Sequence, residues 1–573
     1  MFCNFRIVKR LCLCFCAAAA FGLVGGCSTE HYKADADKEV YKIIDSRWQD
    51  SFGKKVNYRI DDAPASPNDV QFDNTVMPSG TISIAEAVAI ATANNRDYQA
   101  QKESLYTKAL DLTSERHKYA LQWFGTIEAD YVKGINQEGN EYEDVSVGTG
   151  GGKQGELGAG VSKSHLLASG IQISTSLALN WLRYLTGDPR TSLGSVLSAS
   201  VTVPLLGAGG GKAAWENLTQ EERDVLYQIR TFNRFRKTFV VGVINSYYAV
   251  LQSREQVINA ENDYKGRLDT TKRLQMEAET GRTTQMAVDE ARQSEFGARD
   301  NYVGAQRSYD QALDTFKVNQ LSLPPDVNIV LDSNELIVLE QLGVTMPDYT
   351  VDEAIETALL RRLDLANAAD RIDDQVRKFV LAEEGLGPQL ELSGTSDVTS
   401  TPKTDFTRLQ FREGSYGLGF LLDLPLDRLN ERNAYRSVLI GLVSQQRRYD
   451  QEKDDIELGV NNSFRRLLET AERYRIQKMS LELAQRRVES NQLLLDVGRA
   501  TIRVVRDSQD ALLESQNAFT GALITHQIAK LNFFRDIGVL QVKPDGMWEL
   551  ETKWKTVETA MKDKKAEEVF QDL

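Results

Sequence analysis

Ser83-Ile84-Ala85-Glu86-Ala87-Val88 returns 267 residues later as Thr350-Val351-Asp352-Glu353-Ala354-Ile355. Each stretch opens on a hydroxyl side chain and sets a glutamate three places on, ahead of an apolar run. That is the signature of a capping box: the hydroxyl accepts from an unpaired amide of the first helical turn, and the carboxylate reaches back to the cap's own amide. The spacing predicts one helix starting at 84 and another at 351. At the same offset Ala91 meets Ala358 and Asp97 meets Asp364. The chain is written twice.

A second pair of landmarks sits further along each copy. Gly242-Val243-Ile244-Asn245-Ser246-Tyr247 matches Gly459-Val460-Asn461-Asn462-Ser463-Phe464, and Gly281-Arg282-Thr283-Thr284 matches Gly498-Arg499-Ala500-Thr501, both at an offset of 217. A slip of one residue would turn a helix face by about 100°, so the constant offset predicts packed helix held in register. No proline falls between Pro204 and Pro324 or between Pro425 and Pro544. Val225, Ile229, Phe232, Phe239, Val243 and Tyr247 recur at spacings of three, four and seven, as do Ile456, Val460, Phe464, Leu467, Ala471 and Tyr474. Such stripes suit coiled-coil-like packing. Gly281 and Gly498 are placed where each run would fold into an antiparallel hairpin. The first arms, about 208–280 and 430–497, would reach on the order of 100 Å. An arm that slender has no core of its own and needs neighbours.

Strands precede each long run. Tyr416, Leu418, Phe420, Leu422 and Leu424 alternate with Gly417, Gly419, Leu421 and Asp423, and Leu197, Ala199, Val201 and Val203 alternate with Ser198, Ser200 and Thr202. Ile171, Ile173, Leu177 and Leu179 alternate with Gln172, Ser174, Ser176 and Ala178; Ile127, Ala129 and Tyr131 with Thr126, Glu128 and Asp130. Period-two alternation with one small, polar face fits a barrel with lipid outside and water inside. A soluble sandwich with one buried face fits it equally.

All five cysteines lie within the first 27 residues. Arg6, Lys9 and Arg10 precede an apolar stretch at 11–24, and Leu23-Val24-Gly25-Gly26-Cys27 closes it, the layout of a cleaved secretory signal. With cysteine at the cleavage point it resembles the bacterial lipoprotein signal, although Val24 stands where leucine is commonest. The resemblance implies that Cys27 is acylated and becomes the first residue of the mature chain. No disulfide or cysteine-based metal site within the chain is then possible. A net charge of −14 argues against nucleic-acid binding, which needs a basic face. After the signal, no stretch holds about 18 consecutive apolar residues, so no second spanning helix is expected.

Capped helix, strands, a proline, a long helical hairpin with glycine at its tip, then all of it again: over about residues 81–540 the chain resembles the outer-membrane efflux protein family, the TolC-like channels. Val201-Thr202-Val203-Pro204-Leu205 and Leu422-Asp423-Leu424-Pro425-Leu426 carry the likeness, together with the two capped helices and the tip Val497-Gly498-Arg499-Ala500-Thr501. The fold class expected is mainly α with membrane β, a two-fold repeat of long α-helical hairpins and β-hairpins. The resemblance implies a homotrimer whose strands share one outer-membrane β-barrel and whose helices form an α-barrel into the periplasm. Its implied partners are a periplasmic adaptor (membrane fusion) protein, an inner-membrane transporter and outer-membrane lipid. The chain divides into a signal at 1–26, an extension from the anchor at 27–80, repeat one at 81–322, a linker at 323–349, repeat two at 350–540 and a charged tail at 541–573. Residues 28–80 are expected to be an extended arm docked by Trp48 and Phe52, and Asn328–Leu342 to add short strands. A helix lying outside the body is expected from the tail.

One departure from the family pattern stands out. Pro204 lies about 118 residues beyond Glu86, whereas Pro425 lies 72 beyond Glu353. The surplus holds two more alternating segments, 155–163 and 170–181, joined by His165-Leu166-Leu167-Ala168-Ser169-Gly170. Short turns belong on the periplasmic side of outer-membrane barrels, so six strands per chain are expected in place of the family's four.

For the site, the family narrows its pore with carboxylates six and nine residues after the second tip glycine. Here those positions are Val504 and Asp507, the latter flanked by Arg503 and Arg506. Asp507 from three chains would form a ring at the closed end, partly neutralised by Arg503 or Arg506; exposed helix charges in weak pairs are the plain alternative. Gly281, Arg282, Thr283, Gly498, Arg499 and Thr501 mark the tips and an adaptor contact. No catalytic residue, metal site or cofactor is expected: the four histidines are scattered and no nucleophile motif occurs. Gly207-Ala208-Gly209-Gly210-Gly211-Lys212 lacks the full phosphate-loop spacing. The competing reading is a periplasm-spanning structural tether without a pore, which would have no need of lipid-compatible strands.

Overall fold

The computed structural model describes residues 28–55, 57–60, 81–126, 128–135, 141–148, 158–167, 169–184, 191–207, 211–324, 326–347, 349–400, 408–424, 426–542 and 548–550. Cys27, the signal and residues 551–573 of the tail expected to be an outer helix lie outside them; Trp548–Leu550 of that tail form a strand instead. The chain forms two compact units, one from residues up to 48, 106–226 and 390–422, the other from 49–105, 227–389 and 423 onward.

The first unit is built on an antiparallel sheet: β1 (Gln122–Thr126), β2 (Glu128–Ile135), β3 (Glu141–Gly148), β4 (Gly158–Leu166), β5 (Gln172–Tyr184), β6 (Thr191–Leu206), β7 (Gln389–Thr399) and β8 (Ser415–Asp423). Its path runs β1-β4-β5-β6-β7-β8, with β2 on β3 and β3 on β5. β6 pairs with β7, so the two sequence repeats join edge to edge. Register sorts the side chains as the alternation requires. Ser174 faces Ser200 and Ser200 faces Thr395, while Ile173 faces Val201 and Leu177 faces Leu197. Ser174 and Ser200 share a hydroxyl hydrogen bond of 2.6 Å. A methyl at Gly417 would lie 2.7 Å from Thr395 Oγ1, so the small-polar face continues there with hydrogen as the side chain. The other face is apolar and uncovered: Leu418 is 75% exposed and Phe420 67%. Pro204 falls at a register shift, where a missing N–H is tolerated.

Residues 29–47 correct the expectation of an extended arm. They form helix α1 (Thr29–Arg47), capped by Ser28. Val40, Tyr41, Ile43 and Ile44 are buried, and Arg47 meets Glu222 at 2.7 Å. The polar majority of this stretch hides a short apolar face that only a packing partner rewards. Trp48 and Phe52 are buried as expected.

The second unit opens with the two predicted helices, α2 (Ile84–Asn94) and α7 (Val351–Arg361), each with a complete capping box. Ser83 N–H donates to Glu86 at 2.8 Å and Thr350 N–H to Glu353 at 2.9 Å. Each breaks after 11 residues and resumes, as α3 (Arg96–Lys118) and α8 (Leu363–Glu384). The hairpins follow: α4 (Gly211–Glu279) with α5 (Gln285–Thr315), and α9 (Leu429–Asp496) with α10 (Ile502–Asp536). A π-helical turn, Phe316–Gln320, ends the first hairpin. Its Asn319 and Gln320 carbonyls accept from the Asn95 amide at 3.0 and 3.1 Å, so the break after α2 is tied to the hairpin's base. Between the repeats, Ile82 and Leu331 form a single parallel bridge, and α6 (Asn334–Leu342) takes the place of the expected short strands. Two short strands near the C-terminus, β9 (Leu540–Val542) and β10 (Trp548–Leu550), pair antiparallel.

The core of this unit runs along the predicted stripes. Val243, Tyr247, Val460, Leu467 and Tyr474 are buried in one cluster with α2 and the base of α10. Tyr247 donates to the Ile82 carbonyl at 2.8 Å, closing the joint that the bridge begins. Among the described residues, no helix is long and apolar enough to cross a membrane.

Candidate functional site at the hairpin tips

The two tips are built by the same backbone motif. Gly281 and Gly498 have φ of 72° and 70°, a left-handed conformation that glycine adopts without penalty. Arg282 N–H then reaches back to Glu277 O (2.9 Å) and Gly281 N–H to Ala278 O (3.0 Å). In the second hairpin the same bonds run from Arg499 to Leu494 O (2.8 Å) and from Gly498 to Leu495 O (2.9 Å). This is the Schellman closure, which satisfies the last carbonyls of a helix. Added β-carbons at either glycine would meet nothing within 4 Å, so dihedral angle alone explains these residues.

Behind the turns the hairpins share a small apolar cluster. Leu274 on α4, Val288 and Ala291 on α5 and Ile502 on α10 are buried together, with Leu495 of α9 packed against them. Polar clamps stand on either side of it. Arg267 on α4, only 5% exposed, donates to Asp263 (3.0 Å), to Ser294 of α5 (2.9 Å) and to Asp510 of α10 (2.6 Å). Burial raises the Asp263 carboxyl above its ordinary value; Arg267 opposes that and Asp510 adds to it. Arg273 meets Asp496 of α9 at 2.6 Å. The first hairpin's cations thus hold the second hairpin's acids, and Arg267 is the buried centre.

The expected pore residues lie on the open side of α10. Ile502, Val505 and Ser508 are buried, while Arg503, Val504 and Asp507 are exposed. Arg506 Nη2 reaches its neighbour Asp507 at 3.0 Å, so these two are brought together, with both side chains about half exposed. Arg282, Arg499 and Thr501 are exposed at the tips and Thr283 is half-buried. The constant offset makes Thr284 the counterpart of Thr501, and it is Thr284 whose hydroxyl caps α5, accepting from Ala287 N–H at 3.3 Å. The sequence carried that signal, since 284 and 501 are 217 apart. Neither Thr284 nor Arg267 is among the site residues expected from sequence. A buried arginine amid many solvated ones has no mark in a single sequence. Around the tips Met276, Met286, Leu493, Val497 and Val504 are exposed apolar side chains. Among the described residues, no group of three or more His, Cys, Asp or Glu could hold a metal ion.

A profile of the family described as "Outer membrane efflux protein" matches residues 157–317 and 354–535, more than half of the chain. No curated protein matches the sequence. Among solved structures, the CusC channel covers 83% of this chain and 98% of its own, at 14% identity and a TM-score of 0.58. The CmeC outer membrane channel of Campylobacter jejuni covers 84% and 89%, at 12% identity and 0.57. The outer membrane protein VceC of Vibrio cholerae covers 79% and 96%, at 12% identity and 0.56.

Proposed function

This chain belongs to the outer membrane efflux protein family, and we propose that it is the outer-membrane channel of a tripartite export system, a passive conduit from periplasm to exterior. The observation that carries the reading is the sheet of the first unit. One face is small and polar, the other apolar and exposed, and β1 and β8 leave both ends of the path open. In water, such a sheet would expose an apolar surface and unpaired edges, both aggregation liabilities. In a bilayer shared with sister chains, lipid covers the face and neighbouring strands close the edges. Exposed Trp123 and Trp215, the latter stacked on Tyr119 at 5.3 Å, stand near the helical end of the sheet. Exposed Phe411 and Tyr416 stand at the opposite end, and aromatic girdles of this kind mark the two interfaces of outer-membrane barrels.

The helices supply the argument for the trimer. Leu458, Leu468, Ile476, Met479 and Leu483 form an exposed apolar stripe on α9, and Phe296 and Val303 extend another on α5. A sister chain is the natural occupant, since these stripes run along arms that have no core of their own. Cys27, acylated, anchors each chain in the outer membrane. The exposed tips and their apolar side chains dock a periplasmic adaptor linked to an inner-membrane transporter. Docking opens the tips by drawing the hairpins past the cluster that Arg267 clamps.

Within the closed tips, Asp507 from three chains forms a ring partly neutralised by Arg506. Confined like charges bind cations, as charged rings in channels do. Single-channel recording of Asp507→Ala tests this: weaker cation block and altered conductance are expected, and traces matching the parent protein would refute the ring. Crosslinking from cysteines placed at 283, 284 and 501 tests the adaptor contact. Adducts with the adaptor are expected, and a tip that never crosslinks would refute it.

A further inference from the structure

We propose that the assembled channel ends in an eighteen-stranded barrel, wider than the twelve strands that four per chain would give, and that its exit passes cargo too bulky for the narrower barrel. The inference deepens the channel reading above and rests on it.

The register counts the staves. β1 and β2 lie end to end on one neighbour, since Thr126 faces Gly160 of β4 and Glu128 faces Gly148 of β3. β3 and β4 are likewise collinear: Val147 and Gly158 face Trp181 and Asn180, consecutive residues of β5. Eight strands therefore occupy six positions across the sheet, four from the first repeat and two from the second. With three chains, that makes eighteen.

The additional hairpin is part of the wall and not an excursion from it. β4 pairs with β5 over nine residues and β5 with β6 over twelve. β1, which leads out of α3, pairs with β4 and not with β6. Removing β4 and β5 would leave a gap in the middle of the sheet. Their connection is tight: Leu167 N–H donates to Ile171 O at 2.8 Å, Gly170 N–H to Leu167 O at 2.9 Å, and Gly170 takes φ 81°. Gln172, at that turn, faces Thr202 near the end of β6, and Ser164 faces Gln122 at the start of β1. The turn therefore lies at the end of the sheet where α3 enters and α4 leaves. Short turns belong on this periplasmic side of an outer-membrane barrel, so the surplus hairpin is fitted in the sense a barrel requires.

Barrel diameter rises roughly linearly with strand number. With strands about 4.8 Å apart and tilted by about 40°, eighteen close at a backbone radius of roughly 18 Å and twelve at roughly 12 Å. The cross-section about doubles. The small-polar face keeps that space clear, because Ser174, Ser176, Ser198, Ser200 and Thr202 occupy successive positions along its two central strands. Compact-peptide cargo wider than about 14 Å fits such an opening and not the narrower one, whereas a conduit for small hydrophobic drugs has no need of it.

Polymer exclusion tests the proposal on the full-length protein in planar bilayers, with poly(ethylene glycol) of graded size added to the extracellular side. Polymers of about 10 Å hydrodynamic radius should still enter and lower the conductance, a size that a twelve-stranded barrel with about 7 Å of clear radius would refuse. Electron cryomicroscopy of the same preparation in nanodiscs counts strands at the bilayer, where eighteen are expected. Twelve strands, or refusal of every polymer above about 7 Å in a channel that does conduct, would overturn the proposal and leave the channel reading standing. A trimer that never conducts would overturn both.

Discussion

Gly498 is required for its backbone angle and for nothing else, because φ is 70° and open space surrounds the position of a side chain. Gly498→Ala should therefore cost about 1 kcal/mol, the penalty for an L-residue in the left-handed region, and Gly498→Asn less. Native-state hydrogen exchange at residues 494–500 checks this, and unchanged exchange in the alanine variant would contradict it. His526 makes a pH-dependent prediction. It is buried on α10, with Nδ1 3.2 Å from Thr470 Oγ1. Burial, and then the Lys530 ammonium one turn on, hold its imidazolium form below the ordinary value of 6.5, against the pull of the Thr345 carbonyl. The unfolded chain thus binds more protons than the folded one between that depressed value and 6.5, and stability falls as pH drops through this window. The slope is at most about 1.4 kcal/mol per pH unit. Thermal unfolding between pH 7.5 and 5 should decline more steeply in the parent than in His526→Gln. Parallel declines would remove His526 from the account.

At the scale of elements, the tip clamp and the sheet faces each give a prediction. Arg267→Met leaves Asp263 buried without its cation, and breaking such a pair from one side costs about 3 kcal/mol. The tips should loosen, seen as faster hydrogen exchange at 502–510 and a larger resting conductance; exchange as slow as in the parent would contradict this. Leu418→Arg sets a charge on the face assigned to lipid and should destabilise the barrel by about 2–4 kcal/mol. Ser200→Arg, on the polar face, should leave assembly intact and shift selectivity toward anions. If Leu418→Arg assembles normally and Ser200→Arg does not, the faces are reversed. What could be read beforehand follows the same division. Capped helices, hairpins and strand alternation were legible because each rests on local spacing, and the surplus strand pair was legible as a length difference between repeats. Helix α1 was not, since its four buried residues sit in a polar stretch and packing alone decides it. The Arg267 clamp escaped as well: Asp263 is one turn away, but the partners on other helices, Ser294 and Asp510, stand 27 and 243 residues away, and no local pattern announces contacts at that range.

For the molecule as a whole, the apolar stripes on α9 and α5, the uncovered sheet face and the two open strand edges all point to assembly with sister chains in a bilayer. A tether without a pore would leave the polar face of the sheet unexplained, because a structural strut has no reason to line its central strands with serine, threonine and glycine. The central claim is that this face surrounds water. Single-channel recording of the purified, full-length protein in a planar bilayer tests it most directly. Discrete, uniform conductance steps are predicted at each insertion. A bilayer that contains the inserted protein and remains silent under voltage would contradict the account.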